Sequence, residues 1–192
     1  MPLFIKNIEF DRHFNQTVDK LPSSIKNIKF GWIFNQSVNK LPLSIKSIKF
    51  GHCFNQSVDK LPSSVKYIKF GWKFDQSIKN LPLTLTRLKI NWKFNQPLED
   101  ISPSVTHLIF HCPRFNGKIP ETVTHLKIYS STYKEEYIPQ SVTHLTIKGT
   151  DRIYEKIPKT VTHLTLDILE NITVPKTVTL LIVNGKIVRV NN

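Results

Sequence analysis

The residues of this chain that could do chemistry form a basic and aromatic pattern with a 20-residue period. Lysine recurs at one position of the repeat, and tryptophan recurs three positions after it. The residues are Lys29, Lys49, Lys69, Lys89, Trp32, Trp72 and Trp92. With 27 Lys+Arg against 14 Asp+Glu, the formal net charge is +13. Ammonium groups interleaved with aromatic rings suit an acidic protein surface or a nucleic-acid backbone, although lysine can also serve only to keep an exposed surface soluble.

Four histidines occupy equivalent positions in a repeated Thr-His-Leu phrase. They are His107, His125, His144 and His163. A column of imidazoles suggests a metal site, but a flat row of side chains on parallel strands does not surround a cation tetrahedrally. We therefore predict no bound metal. We assign these histidines a structural or surface role, on the same partner-binding face as the lysines, the tryptophans, Tyr67 and Arg87.

No motif supports catalysis or a cofactor. The sequence contains no phosphate-binding loop, no His-Glu-x-x-His and no nucleophile elbow, so we predict a protein that is not an enzyme. No apolar stretch approaches the roughly 18 residues of a membrane helix, and the N-terminus lacks the pattern of a signal peptide. We expect an unexported, cytoplasmic protein in which Cys53 and Cys112 stay reduced, because three turns separate them.

A register of prolines predicts the elements that position these residues. The prolines recur 17 to 21 residues apart, at Pro2, Pro22, Pro42, Pro62, Pro82, Pro103, Pro120, Pro139, Pro158 and Pro175. Each is followed by the phrase apolar-x-x-apolar-x-apolar, whose end alternates with period two and predicts one short strand per turn. The predicted strands are 25–30, 45–50, 65–70, 85–90, 105–110, 123–128, 142–147 and 161–166. About ten turns result.

Each turn is too short for a helix and must bury its apolar positions against its neighbours. A repeat of this length has room for a strand and an extended return segment, and only the same positions of adjacent turns can cover its apolar side chains. We predict a mainly β solenoid with one parallel curved sheet whose concave face carries the lysines. It forms a single domain over 1–192, regular over 1–100 and divergent over 101–183.

Two further columns predict local structure. The position after the strand holds Gly31, Gly51, Gly71 and Asn91, residues that tolerate positive φ, so we predict a left-handed turn there. A second column predicts a buried ladder of amides that satisfies backbone groups, with Asp75 as a weak rung because it lacks the amide donor. The members of this ladder are Asn15, Asn35, Asn55, Asp75, Asn95 and Asn116.

The C-terminal sequence predicts an antiparallel hairpin cap over 184–192. Asn184-Gly185 between two β-rich runs is the strongest short hairpin signal, and a two-residue turn places Val183 opposite Lys186. A cap of this kind protects the last strand of the sheet from edge-to-edge aggregation. The competing interpretation is that the apolar last strand marks a dimer contact; we favour a monomer.

The phrase Phe-Asn-Gln-Ser-Val at 34–38 and 54–58, and its variant Phe-Asn-Gln-Pro-Leu at 94–98, resembles the FNIP repeat. The likeness is strong over 2–100 and thins afterwards. That family, found mainly in social amoebae and giant DNA viruses, is a relative of the leucine-rich repeat, so the resemblance implies a leucine-rich-repeat-like solenoid. Many viral members look like F-box proteins with FNIP repeats behind the F-box. Because the first repeat proline is already Pro2, we expect a repeat domain without an F-box, in the host cytoplasm if the protein is viral.

The sequence as a whole favours a non-enzymatic interaction scaffold that binds an acidic protein partner through its concave basic and aromatic face. The alternative is binding of nucleic acid, such as RNA, through the lysine and tryptophan columns.

Overall fold

The computed structural model describes residues 4–111, 118–129, 138–149, 157–167 and 172–188. Over these ranges the chain consists of strands, turns and extended segments, with no helix, so the predicted mainly β class is confirmed. The chain divides into two compact units, Met1–Val105 and Thr106–Asn192.

The first unit is a stack of parallel strands, one per turn. They are β1 (Asn7–Glu9), β2 (Asn27–Lys29), β3 (Ser47–Lys49), β4 (Tyr67–Lys69) and β5 (Arg87–Ile90). Each strand pairs in parallel with the next one along the chain, and every residue lies opposite its counterpart 20 residues later, as Ile28 does with Ile48. The proline register therefore predicted the pairing correctly in this unit.

The second unit continues the same plan with longer strands. They are β6 (His107–His111), β7 (His125–Tyr129), β8 (His144–Lys148), β9 (His163–Leu166), β10 (Leu180–Val183) and β11 (Lys186–Val188). The strands β6 to β10 pair in parallel in chain order. The last strand, β11, pairs antiparallel with β10.

Strands β2, β3 and β4 are shorter than predicted and begin two residues late. In the second turn, the N–H of Ile25 donates to the carbonyl of Pro22, within the turn. The N–H groups of Lys26 and Asn27 both donate to one carbonyl, that of Lys6, at 2.7 and 3.0 Å. A shared acceptor does not belong to a regular ladder, so the strand begins only at Asn27.

The turn count is about eight, slightly below the predicted ten. The first of the ten prolines lies outside the described residues. The last proline leads into β10, which is followed by a hairpin and not by another return segment. The last proline of the register therefore does not begin a complete turn.

The core of the first unit contains two rows of stacked phenylalanines. One row is Phe10, Phe30, Phe50 and Phe70, and the other is Phe14, Phe34, Phe54, Phe74 and Phe94. Within a turn the two rings stack at centroid distances of 3.6 to 4.1 Å. Rings of successive turns lie 5.4 to 6.1 Å apart. Because the same positions supply rings in successive turns, with Ile90 ending the first row in the fifth turn, each turn covers the apolar surface of its neighbour.

The hairpin cap is confirmed with its predicted register. Val183 lies opposite Lys186, and Leu181 opposite Val188. The turn residues Asn184 and Gly185 have φ of 48° and 74°, as a type I′ turn requires. Residues 189–192, the end of the predicted cap, lie outside the described part of the chain.

The predicted left-handed turn after each strand is wrong. Within the described residues, positive φ is confined to Asn184 and Gly185. The glycines are required for a different reason, which is the close approach of adjacent turns. A Cβ on Gly51 would lie 1.8 Å from the carbonyl oxygen of Gly31, and one on Gly71 would lie 1.7 Å from that of Gly51.

Asn91 occupies the same position in the fifth turn, which is joined to the fourth turn by different hydrogen bonds. Its side-chain amide donates to the carbonyl of Phe70 at 2.7 Å. In the preceding turn, the N–H of Lys73 donates to the carbonyl of His52 at 3.0 Å. No corresponding bond from Lys93 is formed among the described residues. The fifth turn therefore accommodates a Cβ where the earlier turns have no room for one.

We expect Gly51→Ala to lower the free energy of unfolding by about 1–3 kcal/mol or more, because the new methyl group must push two turns apart. The matched control is Asn91→Ala at the equivalent position. This variant already has space for Cβ and loses only one hydrogen bond, about 1 kcal/mol. Urea unfolding measures both, and equal losses would show that close approach does not explain the glycine.

Candidate functional site

The predicted lysine column is formed by strands β1 to β5. The fifth repeat positions Glu9, Lys29, Lys49, Lys69 and Lys89 lie opposite one another in the ladder, at the strand spacing of about 4.8 Å. The lysine side chains point outward, because the positions on either side of each are buried.

The charge along the column is not uniform. The ammonium of Lys29 forms an ion pair with the carboxylate of Glu9 at the N-terminal end. Lys49 and Lys69 have no carboxylate partner among the described residues. Like charges one strand apart repel, so an anion placed between these two ammonium groups would be stabilised by both.

A column of stacked rings runs beside the lysines and contains a residue that the sequence analysis missed. His52 lies between Trp32 and Trp72, at ring distances of 4.2 and 6.1 Å. Trp92 stacks on Trp72 at 5.6 Å, and the guanidinium of Arg12 lies 5.4 Å from the centre of Trp32. Arg12 and His52 share the repeat position of the tryptophans, so the register contained the signal.

The two columns enclose an open groove of about 760 Å³. We call it the basic-aromatic groove. Lys29, Lys49 and Lys69 form one wall and Trp32, His52 and Trp72 the other, with Gly31, Gly51 and Gly71 among the residues between them.

Tyr67 and Arg87 lie on the same sheet face, at the third strand position. They are paired in register in strands β4 and β5. Arg87 is exposed and Tyr67 is half-buried. Burial raises the pKa of the Tyr67 phenol, so this side chain stays neutral and can donate a hydrogen bond.

The four predicted histidines form a second column, in strands β6 to β9 of the second unit. Their rings stack at centroid distances of 4.1 Å with interplanar angles of 13 to 15°. Each Nδ1 lies 2.9 to 3.0 Å from the hydroxyl of the preceding threonine, which fixes the ring orientation. Burial, and then the proximity of His125 and His163, lower the pKa of His144.

The histidine column therefore belongs to a different unit from the lysine column. In the part of the chain that the structure describes, no three His, Cys, Asp or Glu side chains are arranged to hold a metal ion. The described residues also contain no helix long and apolar enough to cross a membrane. Cys53 is a free, half-buried thiol, while Cys112 lies outside the described residues.

The asparagine ladder exists, but it is not buried. The Oδ1 atom of Asn35 accepts the N–H of Asn55 at 2.8 Å, and the Oδ1 atom of Asn55 accepts the N–H of Asp75 at 2.9 Å. The same bond joins Asn15 to Asn35 and Asp75 to Asn95. Every rung is half-buried or exposed, because the side chains lie at the surface of the return segment. Asn116 lies outside the described residues.

Asp75 makes the bonds of an ordinary rung. One of its carboxylate oxygens accepts the N–H of Asn95 at 2.8 Å and the side-chain amide of Gln96 at 3.0 Å. Asn55 accepts the equivalent pair from Asp75 and Gln76. The ladder bonds use the side-chain oxygen and not the amide nitrogen, so the reason for expecting a weak rung does not apply.

Comparison with known proteins agrees with this geometry. The model of the FNIP repeat matches residues 14–53, 34–73, 54–93 and 74–113. No curated protein matches the chain. Among solved structures it is similar to CroV588, a giant-virus protein described as a novel circular leucine-rich-repeat protein, with 30% identity and a TM-score of 0.63 over 91% of this chain and 33% of CroV588. The chain thus spans about a third of the length of CroV588.

A second solved structure supports the fold alone. The leucine-rich-repeat-containing protein LegL7 from Legionella pneumophila is 13% identical, with a TM-score of 0.51 over 95% of this chain and 93% of LegL7.

We expect Asn55→Ala to cost about 1 kcal/mol of stability, since it leaves the backbone N–H of Asp75 without its acceptor. Asn55→Asp is the matched control, because Asp75 shows that a carboxylate performs the same role. The aspartate variant should unfold within about 0.5 kcal/mol of the parent. Denaturant unfolding curves measure both. If both variants unfold like the parent, the ladder contributes nothing to stability.

Acid is expected to destabilise the second unit. The pKa of His144 is lowered from 6.5 in the folded chain, so the unfolded chain takes up the proton first as the pH falls. The stabilisation from neutral His144 is complete above pH 6.5 and is lost as the pH falls from 6.5 through the lower pKa of the folded chain. Urea midpoints across this range measure the effect. His144→Asn should make the urea midpoint depend less on pH. An equal slope of midpoint against pH in parent and variant would show that His144 is not the group responsible.

Proposed function

Because the chain belongs to the FNIP repeat family and carries a basic-aromatic groove, we propose that it is a non-enzymatic interaction scaffold that binds an acidic protein partner in that groove. Solenoids of this class typically serve as protein-interaction scaffolds. The observation that carries the proposal is the pair Lys49 and Lys69, which lack carboxylate partners among the described residues.

The aromatic wall supports a protein partner. Trp32 and Trp72 are 48% and 40% exposed, so each presents apolar surface beside a charged group. Aromatic side chains are enriched at the centre of protein interfaces, where they supply contact area at low cost in side-chain entropy. Tyr67 and Arg87 extend the surface along the sheet with one neutral donor and one cation.

The family and the solved structures support a protein-interaction role, and neither favours the nucleic-acid alternative.

The histidine column stays a predicted part of the partner-binding face. Its rings are half-buried, and stacking together with the threonine hydroxyls holds them in one orientation. We assign it to a contact surface of the second unit, where a neutral, flat surface suits shape complementarity more than charge. We place the interaction in the cytoplasm, in agreement with the free thiol of Cys53.

We expect simultaneous reversal of Lys49, Lys69 and Lys89 to Glu to weaken binding of an acidic polypeptide by about tenfold or more, since it converts attraction to repulsion. The matched control reverses the exposed Lys20, Lys60 and Lys79 and changes the net charge equally. Binding of a fluorescent glutamate-rich peptide is measured by anisotropy, with thermal unfolding to confirm that both variants fold.

Equal losses in the two variants would reduce the effect to net charge and contradict a binding role for the groove. A parallel titration with a single-stranded RNA oligonucleotide tests the other class of ligand. RNA bound more tightly than the peptide, with the steep salt dependence of phosphate contacts, would replace the protein partner by nucleic acid.

A further inference from the structure

The aromatic wall of the basic-aromatic groove presents two indoles that lie two turns apart, with a shorter ring between them. Trp32 and Trp72 are exposed, whereas His52 between them is half-buried. An imidazole is shorter than an indole, so the wall has a recess between two protruding rings. Because adjacent turns are separated by about 4.8 Å, the two indoles are about 9.6 Å apart along the groove.

This distance matches one kind of extended chain. A polyproline II helix has three residues per turn and a rise of about 3.1 Å, so equivalent side chains recur every 9.3 Å or so. A β-strand places side chains on one side every 6.6 to 6.8 Å, roughly, and loses register with the wall after one repeat. Among extended conformations, only polyproline II presents the same side chain to both indoles.

The indoles also offer donors that a polyproline II segment can use. Neither Trp32 nor Trp72 donates a side-chain hydrogen bond to the described residues, and the indole nitrogen is a donor only. A polyproline II helix has no internal hydrogen bonds, so its carbonyl groups remain free to accept. Grooves lined by aromatic rings bind proline-rich segments in this way, at low entropic cost because the ligand is already extended.

The opposite wall determines the charge of the segment. A polyproline II helix has three rows of side chains, so when one row contacts the indoles another can face the lysines. A carboxylate between Lys49 and Lys69 would accept hydrogen bonds from both ammonium groups. Lys29 is already paired with Glu9, which makes the N-terminal end of the groove less attractive to an anion.

From these matches we propose that the groove binds an acidic, proline-rich segment of the partner protein, in the polyproline II conformation and running across the strands. The inference rests on the proposed function and names the chemistry of its partner. An acidic residue at every third position meets the lysine wall, and proline at the other positions maintains the conformation.

The test uses the full chain and fluorescent peptides of equal length. The peptide (Pro-Pro-Glu)4 carries the proposed features. (Gly-Gly-Glu)4 keeps the charge and its spacing but not the conformation, and (Pro-Pro-Gln)4 keeps the conformation without the charge. We expect (Pro-Pro-Glu)4 to bind about tenfold more tightly than either control, a difference of about 1.4 kcal/mol.

Two variants locate the binding. Trp72→Leu should weaken binding of (Pro-Pro-Glu)4 by about tenfold, as loss of an interface anchor does. Trp92→Leu is the matched control, because Trp92 is in the same column and similarly exposed but does not line the groove. It should change the affinity by less than about twofold. Trp32→Leu repeats the test at the other indole, and thermal unfolding confirms that each variant folds.

The outcomes separate this inference from the proposed function. If (Gly-Gly-Glu)4 binds as tightly as (Pro-Pro-Glu)4 and the lysine reversal abolishes both, the partner is acidic but not polyproline II, and only the inference fails. If Trp72→Leu and Trp92→Leu act equally, the two-turn match is wrong. If no acidic peptide binds, or if the lysine reversal leaves peptide binding unchanged, the proposed function fails as well.

Discussion

The structure depends on one constraint, the stacking of each turn directly on the preceding turn at the spacing of one β-strand. In the first unit each strand residue lies opposite the residue 20 positions away. Residues at one position of the repeat therefore form a column in which neighbours are separated by the spacing of the strands. Apolar positions become continuous rows of stacked rings, a backbone contact becomes a column of glycines, and a surface charge becomes a row of like charges.

Whether stacking a column of identical residues stabilises or destabilises the sheet depends on the charge of the side chains. Neutral rings gain from it, as the phenylalanine rows show at 5.4 to 6.1 Å between turns and the histidine column at 4.1 Å. An imidazole column keeps this gain only while it is neutral, and this agrees with the lowered pKa of His144. Ammonium groups repel instead. A lysine column therefore weakens the sheet slightly.

The sequence predicted the features that follow from the repeat period, such as strand pairing. It did not predict those that depend on local packing, such as the role of the glycines. The proline register predicted the parallel pairing within each unit, and Asn184-Gly185 predicted the hairpin down to its register. The prediction of a left-handed turn at the glycine after the strand was wrong. Glycine is required both where φ is positive and where two backbones approach closely, and the sequence does not distinguish these two cases. The prediction that the asparagine ladder is buried was also wrong, because a side chain can form the same hydrogen bonds at the surface as in the core.

Residues that depart from the repeat make individual turns of the groove different from one another. A perfectly periodic solenoid would offer the same contact in every turn, so a ligand could bind in several registers. Glu9 ends the lysine column by neutralising Lys29, and His52 interrupts the tryptophans. Glu9 limits where positive charge is concentrated along the groove, and His52 separates its two indoles by two turns. For the extended ligand proposed above, these two departures together would fix one binding register, which the repeat alone could not do.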